Sequence, residues 1–160
     1  MSLQENARQK NSVLSTKQVK ESNMILISCV DKHMGIMFNG RRQSRDSVLN
    51  ERIVQISSKT KLWMNYYSET LFKKNDVSHI NISDYFLNEA ASGEFCFVEN
   101  EQVKNYESFV EIIILYKWNK AYPSDMFFDI DLSNWNCVRS TDFIGSSHQK
   151  ITEEIYIRND

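Results

Sequence analysis

The sequence predicts an α/β fold of one domain, a mixed and mostly parallel sheet flanked by helices, with an antiparallel hairpin at its C-terminal edge. Three observations carry this. The 160 residues are 41% hydrophobic, enough to fill the core of one ordinary domain. Strand-like and helix-like segments alternate from residue 24 onward. The run "MILISCV" is apolar enough for a strand covered on both faces, and "VEIIILYKW" is dominated by β-branched and aromatic residues.

Residues 1–23 are polar and charged, with Val13, Leu14 and Val19 scattered among them. They lack the stripe of a docked helix and are expected to form a flexible extension, leaving 24–160 as the folded unit. After the first strand, "GIMFNGRRQSRD" reads as a basic loop. Ser44 is placed to cap a helix whose Leu49, Ile53 and Ile56 share one face, with Asp46 in its first turn and its end near Ser58. "KLWMN" follows as a strand and "YYSETLF" as a helical turn. "SDYFLNEAASG" predicts a helix capped by Ser83 and stopped by Gly93, leading into the strand "EFCFVEN". After "VEIIILYKW", Pro123 punctuates a loop, and strands around "WNCVRS" and "TEEIYIR" form the hairpin.

Composition narrows the function. A formal net charge of −2 offers no global attraction to nucleic acid or an anionic membrane, so an anion site must be a local patch. Cys29, Cys96 and Cys137 are odd in number and widely spaced, which predicts reduced core thiols and a cytoplasmic setting. No apolar run is long enough for a membrane span. His33, His79 and His148 are single, and the sequence holds no HxH, GxSxG, GxxxxGK[ST] or GxGxxG, so no zinc-hydrolase, phosphate-loop or dinucleotide signature is present.

Three constellations can carry chemistry. Arg41, Arg42 and Arg45 ahead of a helix start suit a phosphate or carboxylate, against the plainer reading of a solvated loop paired with surface acids. Asp46 is either an acid facing a ligand or a dipole-favoured first-turn residue. "GSSHQKIT" brings His148 and Lys150 beside two serines, as a phosphate or proton-transfer site or as turn chemistry. Asp125, Asp129 and Asp131 lack the glycine and distal glutamate of a calcium loop and read as loop residues.

The order of these pieces resembles the dihydrofolate reductase superfamily over most of 24–158. "VDKHMGIMFNG" is similar to the family's "VDxxxGIG" segment, and "IILYKWNKAYPSDMFFDIDLSNW" to its "LYLTxIxxxxxxDxxFPxxxxxxW", with Asp125, Phe128 and Trp135 in register. The resemblance implies the family's three-layer fold and assigns Asp46 to the acid that meets the pterin ring. It also assigns Asn65 and Ser68 of "WMNYYSETLF" to the segment that touches the cofactor phosphates. Two departures oppose standard NADPH binding. Glu99 and Asn100 stand where the family has a Gly-Gly pair at the pyrophosphate, and the stretch between Phe72 and Ile80 is too short for the usual strand and arginine of the adenosine phosphate site. The chain also resembles short bacterial proteins labelled ribonuclease Z that share "FNxRRQSRD", "GEFCFVEN" and "GSSHxKIT"; the HxHxDH zinc motif that label implies is absent.

Three readings follow. The first is a binding domain for a small anionic or heteroaromatic molecule, nucleotide- or pterin-like, that lacks standard NADPH binding. It uses Arg41, Arg42, Arg45, Asn65, Ser68, His148 and Lys150, with no metal. The second is an NAD(P)H-dependent reductase of a heterocyclic substrate in which Asp46 assists protonation. The third is a protein or RNA interaction module.

Overall fold

The computed structural model describes residues 23–72 and 77–159, so the polar extension, Asn23 apart, lies outside the described residues. A seven-stranded sheet has the order β9-β10-β7-β1-β6-β4-β5. Its strands are β1 (Met24–Val30), β4 (Leu62–Met64), β5 (Ile80–Ile82), β6 (Phe95–Phe97), β7 (Val110–Lys117), β9 (Trp135–Phe143) and β10 (Ile151–Arg158). β1 lies parallel to both β6 and β7, and β4 is parallel to β5 and β6. β10 runs antiparallel to β7 and β9, which makes the expected terminal hairpin with β9 at the edge.

Because side chains alternate along a strand, the central strands feed two cores. Leu26, Ile113 and Leu115 face one core, shared with Phe86 and Leu87 of α3 (Phe86–Glu89). Ile27, Ile114 and Tyr116 face the other, where Leu49 and Ile53 of α1 (Ser47–Ile56) pack. With both faces covered, these strands carry the continuous apolar runs seen in the sequence.

Several local expectations are corrected. The basic loop is instead a hairpin: β2 (Gly35–Phe38) pairs with β3 (Arg41–Arg42), and β8 (Met126–Phe127) joins β2 from the other side. Asn39 and Gly40 form its two-residue turn with φ of 51° and 69°, the positive values that an Asn-Gly type I′ turn requires. Asp46, not Ser44, caps α1, its carboxylate accepting from the Val48 and Leu49 amides. The helix predicted from Ser83 to Gly93 is only the single turn α3, with no side-chain cap. The short strand β5, which the sequence reading did not mark, adds to the sheet edge beside β4. Cys96 is buried, but Cys137 on the outer strand is exposed, because an edge strand leaves a face uncovered.

Candidate functional site

A cleft opens at the carboxyl ends of β1 and β6, the place where open α/β sheets present their crevice. Cys29, Phe97, Val98 and Glu99 line it from these strand ends; Arg42 comes from β3, Ser44 and Arg45 from the segment leading into α1, Leu49 from α1 itself, and Trp118 directly follows β7. Strand alternation divides the two adjacent arginines: Arg41 is exposed and Arg42 turns inward. The Arg42 guanidinium grips Glu99 with both ends, Nε to Oε2 at 2.8 Å and Nη2 to Oε1 at 3.0 Å. It lies 4.3 Å from the Tyr67 ring centre, and the Tyr67 hydroxyl accepts from the Arg42 amide at 2.8 Å. Burial alone would lower the Arg42 pKa, but Glu99 outweighs it and keeps the guanidinium charged. Burial first, and then Glu99, push the Cys29 thiol well up, so it stays protonated. The cleft retains about 20 Å³, room for about one water.

The acid end of this cleft continues the network. Ser68 donates to Glu99 at 2.8 Å. Asn65 caps α2 (Tyr66–Glu69) through the Ser68 amide and donates to Asn100 at 2.8 Å and Glu101 at 3.0 Å. The two residues assigned by resemblance to cofactor phosphates are thus engaged with acids and amides of their own chain.

Asp46 is 2% exposed. Its Oδ1 accepts from the amides of Val48, Leu49 and Ser146, and its Oδ2 from the Ser147 amide, the Ser147 hydroxyl and His148 Nδ1. Burial would raise its pKa, but the bonds from His148, Ser147, Ser146 and Leu49 outweigh it and hold the carboxyl well below the usual range. Its acceptor positions are filled by protein donors, so it serves as an ionised anchor here rather than as a receiver of a ring N–H. His148 is buried, stacked on Trp118 with ring centres 4.5 Å apart, and its Nε2 lies 3.0 Å from Ser44 Oγ.

The remaining candidates separate. Arg41 lines an open groove of about 470 Å³ with Phe38, Asn39, Arg42, Gln43, Tyr122 and Pro123. Lys150 lines a different groove with Lys120 and His148. Arg45 is exposed at the rim of the cleft. Asp125 and Asp129 accept the amides of the distant Asn39 and Val103, and Asp131 accepts the nearby Ser133 amide. Among the described residues no three His, Cys, Asp or Glu converge on a metal-binding geometry. No described helix is long and apolar enough to cross a membrane.

No protein-family model matches the chain, and none of the curated proteins compared with it matches in sequence. Among solved structures, a dihydrofolate reductase from Enterococcus faecalis, complexed with NADP(H) and RAB-propyl, superposes with a TM-score of 0.62. The match covers 88% of this chain and 99% of that one at 12% identity. The fold is that of dihydrofolate reductase. On this fold the sequence-level resemblance puts a Gly-Gly pair after β6, whereas here Glu99 and Asn100 carry side chains bonded to Arg42, Ser68 and Asn65. Sequence reasoning flagged those two residues but missed their partner: Arg42, read as an anion contact, already holds an anion from its own chain. It also missed Asp31, 1% exposed, which ties the β1–β2 turn to the Tyr122 amide and the Ser124 hydroxyl. The "VDxxxG" spacing was the signal available for it, since Oδ1 accepts from the His33 and Gly35 amides.

Proposed function

We propose that this dihydrofolate-reductase-like domain binds a small anionic, heteroaromatic molecule, nucleotide- or pterin-like, without standard NADPH binding. The observation that carries the reading is the groove beside the closed cleft. Phe38 and Tyr122 supply apolar walls, and Arg41 supplies a guanidinium with no acidic partner among the described residues. Aromatic faces and one cation fit a planar ring that bears a phosphate or carboxylate. Arg45 at the neighbouring rim adds positive charge, while His148 and Lys150 line a separate surface. The Glu99 side chain, its charge already paired with Arg42, opposes pyrophosphate by volume.

The test is a thermal-shift screen against NADPH, NADH, flavins, folates, pterins and nucleotides. A ligand at a hundred times its dissociation constant stabilises the domain by about 2.7 kcal/mol. The expected result is stabilisation by a pterin or nucleotide, lost in Arg41→Ala, and none by NADPH. A shift with NADPH supports the reductase reading instead. Silence across the panel, with salt-sensitive capture of protein or RNA, supports the interaction module.

A further inference from the structure

The Asp46–His148 pair does more than fasten a loop, because its far end reaches a hydroxyl. Among the described residues Ser44 Oγ has one hydrogen-bond partner, His148 Nε2 at 3.0 Å. His148 Nδ1 lies 3.0 Å from Asp46 Oδ2. A carboxylate can only accept, so Nδ1 carries the ring proton. In the neutral ring Nε2 is the lone pair, and it faces Ser44, with the Tyr122 hydroxyl further away at 3.4 Å. The Trp118 stack holds the imidazole plane, and the Ser146 and Ser147 amides hold the carboxylate that orients it. Serine to imidazole to buried carboxylate, each link at hydrogen-bond distance, is the arrangement that activates a serine nucleophile. Ser44 lines the cleft, and so does Arg45, whose exposed guanidinium is the cation available to a developing oxyanion.

We infer that Ser44, His148 and Asp46 form a nucleophilic relay that transfers small acyl groups from esters to water. Ser44 Oγ attacks the carbonyl carbon while its proton passes to His148 Nε2. The bond to the leaving oxygen breaks, and that oxygen departs with the proton from Nε2. Water, deprotonated by the same nitrogen, then releases the carboxylic acid and restores Ser44. Asp46 acts as a positioning residue. This inference is independent of the Arg41 groove, since the relay needs no anion bound there.

The test treats the full chain with methanesulfonyl fluoride, which sulfonylates an activated serine and releases hydrogen fluoride, and maps the adduct by mass spectrometry. p-Nitrophenyl acetate hydrolysis is followed in parallel. The expected result is one adduct, on Ser44, and ester hydrolysis lost in Ser44→Ala, which leaves the Asp46–His148 anchor intact. His148→Gln should slow sulfonylation about 100-fold or more. The sulfonylation rate is also followed as a function of pH. The His148 ring is faced by Asp46, Ser44, Ser147, Tyr122 and Trp118, with Lys120 and Lys150 in the adjoining groove. Asp46→Asn should weaken that pH dependence, which a purely structural anchor would not do. Absence of an adduct, labelling spread over many serines, or equal rates in wild type and His148→Gln overturns the relay. So does unchanged ester hydrolysis in Ser44→Ala.

Discussion

Arg42 and Glu99 set what the cleft can be. Their side chains are 19% and 9% exposed, so removing one leaves the other partly buried without its counter-charge. Arg42→Ala is expected to cost about 3 kcal/mol in urea unfolding. The double variant Arg42→Ala/Glu99→Ala should recover part of that, because no lone charge remains, and strictly additive losses would show the two side chains to be uncoupled. Asp46 makes a pH prediction. Its folded pKa lies below its unfolded one, so its contribution is complete above the unfolded value and is lost as pH falls toward the folded value. Urea midpoints should therefore fall between about pH 5 and about pH 2, and Asp46→Asn should flatten that stretch of the profile. A wild-type midpoint constant through that range would contradict the anchor.

At the scale of elements, the β2–β3 hairpin decides which arginine meets solvent. Gly40 has φ of 69°, so Gly40→Ala should cost about 1 kcal/mol in thermal unfolding. It should also weaken any ligand held by Arg41, which follows the turn directly. Helix α1 is lashed to β10 by Arg52 and Glu153, Nε to Oε2 at 2.7 Å, and the Tyr116 hydroxyl donates to the same oxygen at 2.8 Å. Burial would raise the Glu153 pKa, but the bonds from Arg52 and Tyr116 outweigh it and lower it. Glu153→Ala should cost about 2–3 kcal/mol, moderated by the partial exposure of Arg52, and a chemical melt checks it. Local sequence revealed the strands and the α1 face through apolar periodicity. It did not reveal the cap, because Ser44 and Asp46 are both good capping residues and only the chain path chooses between them.

For the molecule as a whole, Gly145 shows how distant segments depend on each other. A Cβ there would lie 2.3 Å from Asp46 Oδ2, although the two positions are about a hundred residues apart in the chain. Gly145→Ala should destabilise by about 2 kcal/mol through forced displacement of the carboxylate, read as a lowered thermal midpoint. It should also blunt the acid sensitivity described for Asp46. What the sequence determined by itself was the architecture: apolar runs of strand length, helix periodicity and turn residues are properties of neighbours along the chain, and they specified a mixed α/β sheet with a terminal hairpin. Only the tertiary structure decided what the flagged residues do. Arg42 met Glu99 and Ser44 met His148 across separations of 57 and 104 residues. Whether a charged side chain waits for a ligand or is already satisfied depends on which partner the fold brings within about 3 Å, and sequence spacing holds no record of that distance.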